Sequence, residues 1–124
     1  MNINQQGSRN VEITAEKNNV SVITFKFSQF TEETEIDAMG KELLQVVADH
    51  NAPAVVLNLS RLTFAATMVL GKFIELHKKL AQQGKKLILC NITPEIKEIL
   101  TLSRLHKLFS IQETSEKALA AALA

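Results

Sequence analysis

Few side chains in this chain are placed to do chemistry, and the most suggestive is a hydroxyl, Thr67. It follows a buried apolar run, Val55-Val-Leu-Asn-Leu59, and a short polar turn, at the point where a helical pattern begins on two alanines and this threonine. A strand that feeds a helix N-terminus is where α/β folds usually carry their working residues. As a capping residue, Thr67 is expected to accept a hydrogen bond from a backbone N–H of the first turn. As a phosphoryl acceptor, it would hold a dianion favoured by the helix dipole. Neither role asks the chain for catalytic groups of its own.

The other reactive side chains point to no enzyme. His50, His77 and His106 lie far apart without a Cys or acid partner at metal spacing. Cys90 ends an apolar run and has no basic neighbour to activate it, so it reads as a core thiol. Gly7, Gly40, Gly71 and Gly84 are too scattered for a dinucleotide fingerprint or a P-loop. Glu32, Glu33, Glu35 and Asp37 cluster, but the first turn of a helix accounts for them. No catalytic residue, metal site or cofactor is expected.

The elements that must position Thr67 are readable from periodicity. Val11, Ile13 and Ala15 alternate with polar neighbours, and a second run begins at Val20. Between them, Lys17-Asn-Asn19 suits the positive φ of a tight turn, so residues 11–26 are predicted as a β-hairpin. Residues 27–30 connect to a helix capped by Thr31, with Ile36, Met39, Leu43, Leu44, Val46 and Val47 at helical spacing as far as His50. Asn51-Ala-Pro53 ends that helix, and 54–59 is a central strand covered on both faces.

The second helix runs from Thr67 to about Gln83, with Leu70, Phe73, Ile74, His77, Leu80 and Ala81 on one face and Gly84 just past its end. Residues 87–90 form another buried strand. Thr93-Pro94-Glu95 is a helix start, with a cap, Pro at the first position and an acid at the second. That helix ends near Ser103, 108–111 is a short edge strand, and 115–124 is an alanine-rich closing helix. The order β-β-α-β-α-β-α-β-α implies an α/β fold with a mixed, mainly parallel sheet of about five strands and four helices. The 124 residues make one domain, with 1–9 a loose polar arm.

Composition excludes several classes of function. A net charge of +1 gives no electrostatic case for nucleic acid or anionic membrane. Six Phe with no Trp or Tyr leave few anchors for base stacking. No apolar run approaches a membrane span, the N-terminus shows no signal-peptide pattern, and one cysteine suits a reducing cytoplasm.

The segment from Val55 to Ile111 resembles the STAS domain, the fold of bacterial anti-sigma-factor antagonists. Family members carry a strand ending in D-L-S and then F-x-D-S-S-G-L-G at a helix start. The counterparts here are Asn58-Leu-Ser60 and Phe64-Ala-Ala-Thr-Met-Val-Leu-Gly71. Family-like elements continue in Gly84-Lys-Lys-Leu-Ile-Leu-Cys-Asn91, Thr93-Pro-Glu-Ile96 and residues 100–109.

The resemblance implies a non-enzymatic switch in transcription control. A serine at the helix start is phosphorylated by an ATP-dependent partner kinase, often itself an anti-sigma factor, and a phosphatase reverses it. Thr67 takes the acceptor position, Ala66 that of the preceding aspartate, Met68 the second serine and Val69 the glycine, while Leu70 and Gly71 match.

The expected partner surface is Ala65, Ala66, Thr67, Met68 and Val69, rimmed by Lys72 and Glu75, with Val69 equally able to turn into the core. The partner would be an anti-sigma factor or a histidine-kinase-like ATPase in the cytoplasm. Two alternatives stand beside the switch. One is a phosphorylation-independent STAS scaffold in a signalling or lipid-transport complex, and the other is a small-ligand sensor using a cleft near the second helix.

Overall fold

The computed structural model describes residues 10–50, 53–65 and 67–123. The arm at 1–9, the helix stop at 51–52 and Ala66 lie outside them. β1 (Val11–Lys17) and β2 (Val20–Phe25) form the expected antiparallel hairpin. Asn18 and Asn19 turn it with φ of 50° and 68°, the left-handed pair such a turn requires. The register slips between Ile13 and Ala15, so Thr14 is the extra residue of a bulge, its hydroxyl 2.8 Å from that of Thr24. The slip breaks the predicted alternation: Val11 is buried, Ile13 half-buried and Ala15 exposed.

After the hairpin come β3 (Gln29–Phe30), α1 (Glu33–His50), β4 (Ala54–Asn58), β5 (Phe64–Ala65), α2 (Thr67–Gln82) and β6 (Lys86–Cys90). The chain then continues through α3 (Pro94–Leu102), a 3-10 turn (Leu105–Lys107), β7 (Ser110–Gln112) and α4 (Ser115–Leu123). The main sheet has the order β1-β2-β4-β6-β7, with every neighbouring pair after the hairpin parallel. This is the mixed, mainly parallel sheet of five strands and four helices that the pattern implied.

Strict alternation divides the sheet into two faces. Ile23, Phe25, Val55, Leu57, Leu87 and Leu89 join the large core with Met39 and Leu43 of α1, Phe73 and Leu76 of α2, and Ile96 of α3. Val20, Val22, Ala54, Val56, Ile88 and Cys90 face the other way, onto Ala118 and Ala122 of α4. Small alanines let α4 sit close to that face. The central strand β4 is covered on both sides, so its apolar run is nearly unbroken.

Local details refine two helix starts. Glu32, rather than Thr31, precedes α1, and Glu35 Oε1 accepts from the backbone N–H of Glu32 (3.2 Å) and of Thr31 (3.4 Å). Thr93 caps α3 as predicted, Pro94 following it, and Gly84 closes α2 at φ 72°. The connector before α1 holds an element the sequence did not announce. β3 pairs in parallel with β5, Gln29 with Phe64 and Phe30 with Ala65.

Candidate functional site

Strands β2, β4 and β6 run parallel, so their C-terminal ends share one edge of the sheet, and the loop from β4 to α2 is fastened there on several sides. Leu59 N–H donates to Cys90 O at 2.9 Å, and Asn58 Oδ1 accepts from Ser60 N–H at 2.9 Å. Leu59 and Leu62 are fully buried. Thr63 donates to Ser28 O through its N–H (2.9 Å) and its hydroxyl (3.3 Å). Thr93 Oγ1 donates to Leu62 O at 2.9 Å. With the β3–β5 bridge added, the approach to α2 is held by the segment before α1 and by the start of α3.

Thr67 emerges from this anchored loop into solvent. It is exposed and is the first residue of α2, which corrects its expected role as the cap, because a capping residue precedes the helix. The first turn of α2 holds no acid. The other three helices each carry one or two: Glu33 and Glu35 in α1, Glu95 in α3 and Glu116 in α4. The positive end of α2 is therefore left without a carboxylate in its first turn, where Thr67 is exposed.

The residues that follow Thr67 part ways. Met68 is 44% exposed. Val69 is fully buried, so it cannot meet a partner and leaves the expected contact set. Helical register decides this: Val69, Phe73, Leu76 and Leu80 form the inward stripe with Leu70, while Ala81, expected inside, is exposed.

Lys72 is also held more tightly than a rim residue. Its Nζ lies 3.0 Å from Asp37 Oδ1 of α1, and its side chain is 20% exposed. Its stem crosses Gly40, where an added Cβ would fall 2.7 Å from Lys72 Cδ. The bond to Asp37 raises the ammonium pKa above the ordinary lysine value. Glu75, the other expected rim residue, is exposed. Ala65 belongs to β5.

Phe27 is the residue that sequence reasoning missed. Assigned to a connector, it is 51% exposed, and its ring meets Phe30 edge-on at 6.1 Å. The available signal was a phenylalanine between Lys26 and Ser28, in a segment read as a connector.

The remaining reactive groups have structural places. Cys90 is fully buried, and burial pushes its thiol up to about 11, away from nucleophilic use. His77 packs edge-on against Phe109 at 5.8 Å, and His106 Nδ1 lies 3.3 Å from Leu100 O. Among the described residues, no group of three or more His, Cys, Asp or Glu side chains could hold a metal. No helix among them is long and apolar enough to cross a membrane.

The sequence profile of the STAS domain matches residues 11–118. The chain belongs to the STAS domain family.

Solved structures share the fold of this STAS domain. An anti-sigma-factor antagonist (STAS) domain protein from Planctomyces limnophilus is 21% identical, with a TM-score of 0.81, over 94% of this chain and 100% of that one. An anti-sigma factor antagonist from Mycobacterium paratuberculosis is 23% identical, with a TM-score of 0.77, over 95% and 97% of the two chains. The Bacillus cell fate determinant SpoIIAA in its phosphorylated form is 16% identical, with a TM-score of 0.65, over 90% and 97%. At these identities the likeness is one of fold.

Proposed function

We propose that this STAS domain is a non-catalytic interaction switch of the anti-sigma-factor-antagonist kind, phosphorylated on Thr67. The observation that carries the reading is the exposed Thr67 hydroxyl on an anchored helix start whose first turn has no acid. The fastening of the loop at Leu59, Leu62 and Thr63 supports its presentation to a kinase, and N–H groups of the first turn can receive the phosphate. The phosphorylated SpoIIAA of Bacillus gives the fold a precedent for carrying the modification.

The phosphate acts at the contact rather than within the fold. Its charge is welcome at the helix N-terminus but sits beside exposed Met68 on the surface a partner must cover. Desolvating a dianion against an apolar contact costs several kcal/mol, and about 4 kcal/mol is a thousandfold in affinity. Unmodified protein binds and modified protein is released. The partner is an anti-sigma factor or a histidine-kinase-like ATPase, opposed by a phosphatase, in the cytoplasm.

Incubation with the cognate kinase and ATP, followed by fragment mass mapping, tests the modification. Partner binding that survives Thr67→Glu unchanged sinks the switch. Ala66, where the family motif has aspartate, favours a second reading, a constitutive STAS scaffold. That scaffold would bind its partner equally with ATP, with ADP and with an inactive kinase.

A further inference from the structure

We infer that Phe27 is a preorganised apolar anchor for the partner that engages Thr67, and that this partner presents an apolar recess to it. The inference rests on the switch reading above and adds a contact which that reading does not contain. Phe27 is half exposed, yet it is not a loose side chain.

Its ring stands edge-on to Phe30, with an interplanar angle of 89°. Phe30 stands edge-on to Phe25 at 6.0 Å, and Phe25 packs on Phe73 of α2 at 5.8 Å. Phe25, Phe30 and Phe73 are buried, so a run of rings backs the exposed one from within the core. A ring already held in place loses little freedom on binding, and such aromatic anchors carry a large share of interface energy.

Phe27 also lies close enough to Thr67 for one protein to cover both. The neighbouring Ser28 accepts from Thr63 N–H across 2.9 Å, and Thr63 is four residues before Thr67. The whole chain path amounts to no more than about 23 Å. A standard interface of about 800 Å² per partner is a disc about 32 Å across, so a single footprint lying between the two residues is wide enough to take in both. Exposed Met68 adds apolar surface next to Thr67. The occupant is thus a protein partner with an apolar recess, and a second copy of this chain is an outcome of the test.

The test places a photoreactive benzoylphenylalanine at position 27 of the full chain in its own cells, with and without Thr67→Glu. Alongside it, Phe27→Ser is measured for binding to the crosslinked protein, with melting temperature as the control for folding. The expected result is a crosslink to the same ATPase that phosphorylates Thr67, lost in Thr67→Glu. Phe27→Ser should weaken binding at least about tenfold at an unchanged melting temperature.

If that ATPase phosphorylates and binds the wild type, while Phe27→Ser binds it equally and position 27 gives no crosslink, the anchor is overturned and the switch stands. A crosslink to a partner that neither phosphorylates nor dephosphorylates Thr67, with Thr67 itself unmodified, overturns the switch and keeps Phe27 as a contact. A crosslink only to a second copy of this chain overturns the proposed partner.

Discussion

At the start of α3, Thr93 accepts from Ile96 N–H at 3.4 Å, donates to Leu62 O at 2.9 Å, and is followed by Pro94 and Glu95. At the start of α2, Thr67 is exposed, and neither proline nor an acid follows it in the first turn. The first threonine is committed to the fold on both sides of its hydroxyl. The second is an exposed residue that follows a loop fastened at Leu59, Leu62 and Thr63. A helix start can thus serve as a joint or as a docking point, and the partners of the side chain separate the two. The joint also supports the proposed docking point, since the bond from Thr93 to Leu62 fastens the loop that leads to α2.

The comparison can be broken most forcefully one turn into α2. Val69→Asp should destabilise the fold by about 3 kcal/mol or more, since it places a carboxylate among buried apolar side chains. Met68→Asp next to it should change stability by less than about 0.5 kcal/mol while weakening partner binding. Urea denaturation of both variants checks the pair, and equal costs would mean that the register assigned to α2 is wrong.

Exchanging the threonines themselves is the next largest effect. Thr93→Ala should cost about 1–2 kcal/mol, because it removes a cap and leaves Leu62 O without its donor. Thr67→Ala should be neutral or gain a few tenths of a kcal/mol from helix propensity. Thr67→Glu puts an acid into the vacant first turn and should stabilise by about 0.3–1 kcal/mol while reducing partner affinity. Opposite signs for stability and binding in one variant are hard to obtain from general disruption of the fold.

The smallest effect concerns how α2 is held against α1. Lys72→Met should cost less than about 1 kcal/mol, since the bond to Asp37 is partly exposed. The pH dependence has a definite sign. The folded-state pKa of Lys72 is raised above the ordinary 10.5, chiefly by the bond to Asp37. The contribution is therefore whole below 10.5 and is lost as pH climbs through the raised value. Urea midpoints of wild type and Lys72→Met should converge in that alkaline window, and a constant gap would place the effect in packing over Gly40 instead.

Local chemistry made much of this readable from sequence. The Asn18–Asn19 turn, Pro94 and Glu95 after Thr93, and Gly84 after α2 each answer a backbone need that few residue types meet. The order of strands and helices followed from runs long enough to show their period.

What escaped reading was non-local or too short. The β3–β5 bridge is two residues wide and joins positions 35 apart, so no period marks it. The inward turn of Val69 depends on where the helical register begins: the predicted face left out Val69 and Leu76, which are buried, and counted Ala81, which is exposed. Lys72 looked like a rim charge because nothing in its own helix shows that Gly40 of α1 opens a path to Asp37. Phe27 looked like a linker because its support comes from rings on β3, β2 and α2.

The most direct measurement is fragment mass mapping of the protein recovered from its own cells, with the unmodified and modified forms assayed for partner binding. The account predicts a phosphoryl group on Thr67, none on Thr93, and loss of binding in the modified form. A Thr67 that stays unmodified while the partner kinase is active, or a phosphorylated form that binds as tightly as the free one, would contradict it.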